Sequence, residues 1–182
     1  MKNLKLCLLG LCAWLCACSS QPAAETHINE YGTRWTWDNG TIVVESPERP
    51  AGQKSALALT APKLEVVRVG FVGLGMRGPD AVDRFTHIPG TQVVALCDYE
   101  AERAEKCQRY LKNTSMPRAA IYSGEKGYEA LCQRPDIDLV YVAADWLHHF
   151  PVAECALKNG KHVAIEVPSA MTLQQCWDLI NL

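Results

Sequence analysis

The sequence predicts an α/β domain built on a doubly wound parallel sheet. From Val66 onward, short apolar strands alternate with amphipathic helices, which implies parallel strands with crossover helices on both faces of one sheet. The segment Leu139 to Ala143 is continuously apolar, as is typical of a strand buried on both faces. A glycine-rich turn, Gly73 to Gly78, joins the first strand to the first helix.

The elements follow in order along the chain. Pro79 lies in a first helical turn, Gly160 stands where a helix ends, and Thr172 with Gln175 predicts a capping box. Strands are predicted at Val66 to Val72, Gln92 to Cys97, Ala120 to Tyr122, Leu139 to Ala143 and Val163 to Glu166. Helices are predicted at Pro79 to Phe85, Ala101 to Lys112, Tyr128 to Cys132, Val152 to Lys158, and from Thr172 to the end.

Composition excludes several classes of function. The 182 residues suffice for one domain of ordinary size, and 48% apolar residues suffice for a core. The net charge of -2 gives no basic footprint for nucleic acid. The five cysteines after residue 18 show no metal-ligand spacing, so we predict that they are small buried apolar residues and that they hold no metal. A disulfide between two of them remains open. These cysteines are Cys97, Cys107, Cys132, Cys155 and Cys176.

The N-terminus predicts export. Lys2 and Lys5 flank the start of an apolar stretch, Leu6 to Leu15, that has the length of a signal-peptide core. The residues that follow this stretch, up to Cys18, resemble the end of a bacterial lipoprotein signal. The whole signal would span residues 1–18, with lipid added to the Cys18 sulfur. The protein would then be lipid-anchored to a bacterial cell membrane. An ordinary signal peptide that contains cysteines is the alternative.

Residues 19–62 are predicted to form a tether with a β-hairpin. Trp35 and Trp37 alternate with polar residues, Asn39-Gly40 is a two-residue hairpin signal, and Thr41 to Val44 would be the returning strand. A disordered linker is the alternative. The nucleotide-binding domain would then span 63–182.

The glycine turn indicates a dinucleotide site. In G-x-G-x-x-G, Gly73 permits the tight turn, Gly75 lets a pyrophosphate approach, and Gly78 lets helix and strand pack closely. Asp98 ends the next strand, where an acid accepts hydrogen bonds from the adenosine ribose and repels a 2'-phosphate. We therefore predict NAD as the cofactor; a glycine-rich turn without a ligand is the alternative.

Two further segments should face the same crevice, at the carboxyl ends of the strands. Trp146, His148 and His149 follow the fourth strand and suit a nicotinamide-ribose site. Glu166 ends the fifth strand. Alternatively, the histidines have surface or helix-capping roles. For Glu166 the alternative is that its carboxylate caps the next backbone turn.

From Val66 the chain resembles the N-terminal half of the glucose-fructose oxidoreductase and inositol dehydrogenase superfamily. Its dehydrogenases usually read Glu-Lys-Pro where this chain reads Glu166-Val167-Pro168. The stretches "GFVGLGMRGP", "ALCDYE", "IYSGEKGYEALCQRPDIDLVYVAADWLHHFP" and "KHVAIEVPSAM" resemble one branch, glycoside hydrolase family 109. That family implies an NAD-dependent α-N-acetylgalactosaminidase acting on N-acetylgalactosamine-terminated glycans, with a homo-oligomer left open.

The resemblance also implies which residues contact the cofactor. They are Met76, Arg77, Asp98, Trp146, Leu147, His148, His149, Glu166 and Val167. The catalytic acid and base are expected in a C-terminal mixed-sheet domain beyond Leu182, which this chain would lack, with His149 and Glu166 as the candidates inside it. An NAD-dependent sugar or cyclitol dehydrogenase, or a non-catalytic nucleotide- or sugar-binding lipoprotein, are the alternatives.

Overall fold

A computed structural model describes residues 25–45, 48, 51–52 and 60–182. The predicted signal segment and Cys18 lie outside these residues. The described chain forms a three-stranded antiparallel sheet, β1-β2-β3, and a five-stranded parallel sheet in the order β6-β5-β4-β7-β8. The predicted parallel α/β fold is confirmed.

The elements of the parallel domain have the following bounds. Its strands are β4 (Val67–Val72), β5 (Thr91–Asp98), β6 (Ala120–Ser123), β7 (Leu139–Val142) and β8 (His162–Ile165). Its helices are α1 (Gly78–Thr86), α2 (Ala101–Cys107), α3 (Gly127–Cys132), α4 (Trp146–Lys158) and α5 (Leu173–Asn181).

The core divides between the two faces of the sheet because strand residues alternate in direction. Val69 and Phe71 pack with α1 and α2 on one face. Val72 and Val140 pack with α3 and α4 on the other face. The strand order reverses between β4 and β7, which is the topological switch point where open α/β sheets bind ligands.

The predicted hairpin is present as β2 (Arg34–Asp38) and β3 (Thr41–Val44). Asn39 and Gly40 both have positive φ, 48° and 81°, as the favoured two-residue hairpin turn requires. A short strand that the sequence did not indicate, β1 (His27–Ile28), pairs with β2. His27 stacks on the Trp35 ring with centroids 4.2 Å apart, which gives the extra strand a packing partner.

Two predicted helices have different bounds in the structure. The helix expected from Ala101 to Lys112 ends at Cys107 and continues as a 3₁₀ turn, in which the buried Gln108 amide bonds both backbone groups of Ala119. The helix expected from Val152 begins at Trp146, because Asp145 caps it and Pro151 removes only one hydrogen-bond donor. The Thr172–Gln175 capping box of α5 is confirmed.

Candidate active site at the carboxyl edge of the sheet

The three glycines of the turn after β4 have different surroundings. Gly73 has φ 91°, and a Cβ placed there would lie 2.3 Å from the Ala144 backbone N. A Cβ at Gly78 would lie 1.9 Å from the Gly73 carbonyl oxygen, whereas a Cβ at Gly75 would meet only the Arg103 guanidinium, at 3.8 Å. The outer glycines are therefore required by packing, and open space remains at Gly75 for a ligand to approach the backbone.

The N-terminus of α1 faces this open space. Met76 and Arg77 are exposed, and Arg77 occupies the cap position of α1 without a side-chain hydrogen bond to the helix in the described structure. The first turn of a helix carries free N–H groups and a partial positive charge, which suit a phosphate group. The cradle at Gly75 and this helix end together fit the pyrophosphate of a dinucleotide.

Asp98 ends β5 and is only 6% exposed. Its Oδ2 accepts the Leu74 N–H at 2.6 Å, and its Oδ1 accepts the Glu100 N–H at 3.0 Å. Arg103 also approaches Oδ1, at 3.4 Å. A carboxylate offers about four acceptor positions, so one remains for a ribose hydroxyl. Asp98 thus holds the glycine turn against β5, a role that its position in the sequence did not reveal.

Basic side chains surround a cavity of 240 Å³ beside Gly75. Arg103, Lys106 and Arg109 line it, together with Leu74, Gly75, Pro79 and Cys107. Arg103 offsets part of the negative charge of Asp98, since the two form an ion pair. The charge beside the turn is therefore balanced rather than purely acidic, which weakens the repulsion of a 2'-phosphate that Asp98 alone would exert.

The segment after β7 forms the first turn of α4. Asp145 caps this helix by accepting the N–H groups of Leu147 and His148, and its Oδ2 lies 2.6 Å from the His148 Nδ1. Burial alone would raise the pKa of Asp145, but the hydrogen bond and charge of His148 and the two backbone N–H groups lower it. The cap leaves Trp146 and Leu147 exposed at the carboxyl edge, 60% and 72% respectively.

His149 does not line the crevice with its neighbours. Its ring is only 2% exposed, and Nδ1 lies 2.7 Å from the Pro168 carbonyl oxygen. The helix turn sends His148 outward and His149 into the protein, because adjacent helical residues point about 100° apart. As placed, His149 joins the start of α4 to the turn after β8.

Glu166 and Val167 follow β8 and differ sharply in exposure. Glu166 Oε1 accepts the Tyr141 hydroxyl at 2.6 Å, and burial, followed by this contact, raises the pKa of Tyr141. The Tyr141 ring packs against Phe71 and Phe85, with centroids 5.3 and 5.6 Å away. Val167 is 83% exposed. The turn after β8 is thus held by the side-chain hydrogen bonds at Glu166 and at Pro168, and it presents an apolar side chain.

The structure brings most of the predicted residues to one edge. Gly75, Met76 and Arg77 follow β4, Asp98 ends β5, the first turn of α4 follows β7, and Val167 follows β8. Tyr141 was not predicted as a site residue; the signal for it was a tyrosine hydroxyl in the otherwise aliphatic strand "LVYV". No group of three or more potential metal ligands occurs in the part of the chain that the structure describes.

The family description "Oxidoreductase family, NAD-binding Rossmann fold" matches residues 67–182, nearly all of the parallel domain. The chain belongs to this family. It carries the family's NAD-binding fold, and the glycine turn, the free end of α1 and Asp98 are the residues that fit the cofactor.

Relatives of the chain carry the name that the sequence resemblance predicted. This chain is 73% identical to "Glycosyl hydrolase family 109 protein 4" of Phocaeicola vulgatus, over all of this chain and 35% of the relative. It is 54% identical to a family 109 protein of Bacteroides fragilis, over 99% of this chain and 36% of the relative. The resemblance to glycoside hydrolase family 109 is confirmed, and the chain spans about a third of these relatives.

Solved structures support the fold and the cofactor. The myo-inositol dehydrogenase of Lactobacillus casei, solved with NAD(H) and myo-inositol, is 32% identical, with a TM-score of 0.56 over 64% of this chain and 32% of that chain. A 3-ketoreductase of Actinomadura kijaniata, solved with NADP, is 28% identical, with a TM-score of 0.52 over 64% of this chain and 35% of that chain.

Proposed function

We propose that the protein containing this chain removes terminal α-linked N-acetylgalactosamine from glycans, and that this chain provides its NAD-binding part. The observation that carries the proposal is Val167, an exposed apolar side chain at the end of β8. Dehydrogenases of the superfamily usually have a lysine there. Family 109 relatives, up to 73% identical, support the glycosidase class.

A valine at this position changes the proton chemistry of the crevice. Val167 has no titratable group, so proton transfers to and from the sugar must use other residues. Glu166 is engaged by Tyr141 at 2.6 Å, and the His149 ring is buried, so neither is free to replace a lysine. As the resemblance to family 109 implies, we place the acid and base outside the described residues.

When bound, NAD would supply reversible hydride transfer at carbon 3 of the sugar. On this proposal, oxidation at carbon 3 would acidify the proton at carbon 2, so that the aglycone could leave carbon 1 by elimination, water could add to the double bond, and the hydride could return. The residues of this chain would bind and orient the cofactor: the glycine turn would hold the pyrophosphate, and Val167 with Trp146 and Leu147 would offer apolar surface at the edge of the crevice.

A dehydrogenase acting on a sugar or cyclitol is the second candidate. The observation that favours it is the likeness to myo-inositol dehydrogenase over the same domain. A dehydrogenase consumes NAD stoichiometrically, whereas the proposed glycosidase regenerates it.

The test uses the complete gene product loaded with NAD⁺ in deuterated water. An aryl α-N-acetylgalactosaminide is supplied, and aglycone release, net NADH and deuterium at carbon 2 of the freed sugar are measured. Release with deuterium and without net NADH is the expected result. Release without deuterium rejects the elimination route, and NADH accumulation with a free sugar favours the dehydrogenase.

Two substitutions sharpen this test. Val167→Leu keeps the site apolar and should retain aglycone release. Val167→Lys introduces a titratable amine and should alter the pH profile of release, while NAD binding persists if the pyrophosphate is held by the glycine turn. If the two variants behave alike at every pH, Val167 does not face the reacting sugar.

We also propose that the protein is exported and lipidated at Cys18. None of the helices in the described ranges is long and apolar enough to cross a membrane. Metabolic labelling with an alkynyl fatty acid should mark the wild type and not Cys18→Ser. Labelling of both proteins would reject lipidation at Cys18, and labelling of neither would favour the ordinary signal peptide.

A further inference from the structure

The ring of His149 makes one hydrogen bond and is otherwise enclosed. Its Nδ1 lies 2.7 Å from the Pro168 carbonyl oxygen, and only 2% of the residue is exposed. A carbonyl oxygen can only accept, so Nδ1 carries the proton and Nε2 is left as an acceptor. Nε2 is buried and has no hydrogen-bond partner in the part of the chain that the structure describes.

This arrangement argues against a role of His149 in packing alone. An apolar side chain of similar size would fill the same space without burying an unpaired nitrogen, which costs stability. What the imidazole adds is the donor at Nδ1, placed nineteen residues before the carbonyl that accepts from it. The hydrogen bond joins the first turn of α4 to the turn after β8, so the effect of His149 falls on that turn.

Val167 is held on both sides within that turn. On its N-terminal side, the Glu166 N–H donates to the Val142 carbonyl oxygen at 2.9 Å. On its C-terminal side, Pro168 has no N–H to donate, and its carbonyl is held by His149. The Val167 side chain is 83% exposed, so its direction depends on these two anchors rather than on packing.

The nicotinamide half of the cofactor should lie over the same turn. Asp98 and the cavity beside Gly75 belong to the ends of β5 and β4, on the adenosine side of the strand order. A dinucleotide binds across the switch point with its pyrophosphate at the glycine turn, so its other half extends over the ends of β7 and β8. Val167 follows β8 there and presents an apolar side chain to the nicotinamide ring.

We propose that His149 is a positioning residue for the nicotinamide of NAD. It acts through Pro168 rather than by touching the cofactor, because its hydrogen bond fixes the turn that directs Val167 at the nicotinamide. Without this bond, the turn must be ordered when the cofactor binds, and that cost falls on the affinity for the nicotinamide alone. The proposal depends on NAD binding and is the same for a glycosidase and for a dehydrogenase.

The test compares NADH with ADP-ribose, which lacks the nicotinamide ring. Isothermal titration calorimetry measures both affinities on the complete gene product, freed of bound nucleotide. The variant His149→Gln places its amide near the position of Nε2 and loses the donor to Pro168. The variant His149→Asn places an amide N–H near the position of Nδ1 and keeps that donor.

We expect His149→Gln to bind NADH roughly 2- to 12-fold more weakly, which is the usual cost of ordering one side chain on binding. Its affinity for ADP-ribose should not change, and His149→Asn should bind both ligands as the wild type does. His162→Gln is the matched control, since it makes the same change at an exposed histidine at the other end of β8. It should leave both affinities unchanged.

Three results would overturn the proposal. His149→Gln could weaken the binding of ADP-ribose as much as that of NADH, which would indicate a general loss of structure. It could weaken neither, which would mean that the turn stays in place without the bond. His149→Asn could behave as His149→Gln does, which would mean that the donor to Pro168 is not the cause.

A second variant covers the case in which His149→Gln does not fold, as its melting temperature would show. Val167→Ala shortens an exposed side chain, so it should fold and should show the same selective loss of NADH affinity. Where both variants fold, adding His149→Gln to Val167→Ala should weaken NADH binding little further, because the two changes act through one contact. Full NADH affinity in Val167→Ala, or additive losses in the double variant, would also overturn the proposal.

Discussion

Replacement of Gly75 by alanine should weaken NAD binding without unfolding the domain. The backbone of Gly75 is outside the region that favours glycine, and an added Cβ would meet only the flexible end of Arg103, at 3.8 Å. The substitution therefore costs the folded state little, and the lower entropy of the unfolded chain can offset even that. The methyl group would instead occupy the space through which a pyrophosphate reaches the turn.

The size of the effect follows from the hydrogen bonds at risk. A backbone N–H that binds a charged oxygen contributes about 1.5–3 kcal/mol. Loss of one such bond weakens binding by about 10- to 150-fold, since each 1.4 kcal/mol is tenfold in affinity. Titration of the NADH fluorescence of the purified chain measures this change directly.

Gly78→Ala provides the contrast because its Cβ would lie 1.9 Å from the Gly73 carbonyl oxygen. Such overpacking costs about 1–3 kcal/mol, and each kcal/mol lowers the melting temperature by roughly 2–4 °C in a chain of this size. Both stability and affinity should fall. Gly160→Ala is the control for stability alone, since its φ of 70° disfavours alanine and no neighbour lies within 4 Å of the added Cβ.

Either of two results would refute this reasoning. If Gly75→Ala binds NADH with wild-type affinity and keeps its melting temperature, the pyrophosphate does not approach the backbone at the second glycine. If Gly75→Ala unfolds the domain, the open space seen beside Gly75 is not present in solution.

Three further changes test contacts around the site and the sheet. Tyr141→Phe keeps the ring packing but frees Glu166, so the free energy of unfolding should fall by about 1–3 kcal/mol in denaturant titration; no change would mean that the 2.6 Å contact is not maintained. Asp145→Ala should cost about 1 kcal/mol through loss of the α4 cap, while Asp145→Asn should keep it; equal unfolding midpoints would argue against the cap. The hydrogen bond from Arg68 and its charge lower the pKa of Asp138, so this pair stabilises the fold above about pH 4 and the gain is lost as pH falls through the lowered pKa. Asp138→Asn should flatten that acid limb in thermal melts from pH 6 to pH 2.5, and an unchanged limb would contradict the pairing.

The sequence predicts those parts of the fold that depend on neighbours along the chain. The glycine turn, the continuously apolar β7 and the Thr172–Gln175 box each carry their signal within a few residues, and each is found where expected. The predicted start of α4 at Val152 was wrong, because the helix already begins at Trp146 and continues through Pro151. The Asp145 cap, which lies six residues earlier, outweighs the one hydrogen-bond donor that the proline lacks.

The roles of the polar residues at the site depend on partners that are distant in the sequence. The ribose contact of Asp98 stays a prediction, and the structure adds that two of its hydrogen bonds go to backbone N–H groups, one of them at Leu74 in the glycine turn after β4. His149 was grouped with His148, yet it turns inward to Pro168. Sequence spacing places such residues at the correct edge, but it does not show which hydrogen bonds are already formed within the protein.

This distinction bears on why the chain has a valine after Glu166. A carboxylate next to a lysine at a strand end would suggest a charged pair with roles in proton transfer. Here the carboxylate is turned to Tyr141, whose ring is fixed by Phe71 and Phe85, and the next side chain projects outward without charge. The end of β8 therefore offers a rigid apolar surface instead of a proton donor. An apolar surface at this place suits the proposed glycosidase, in which the cofactor would remain bound through the whole reaction and the acid and base would be supplied from elsewhere in the protein.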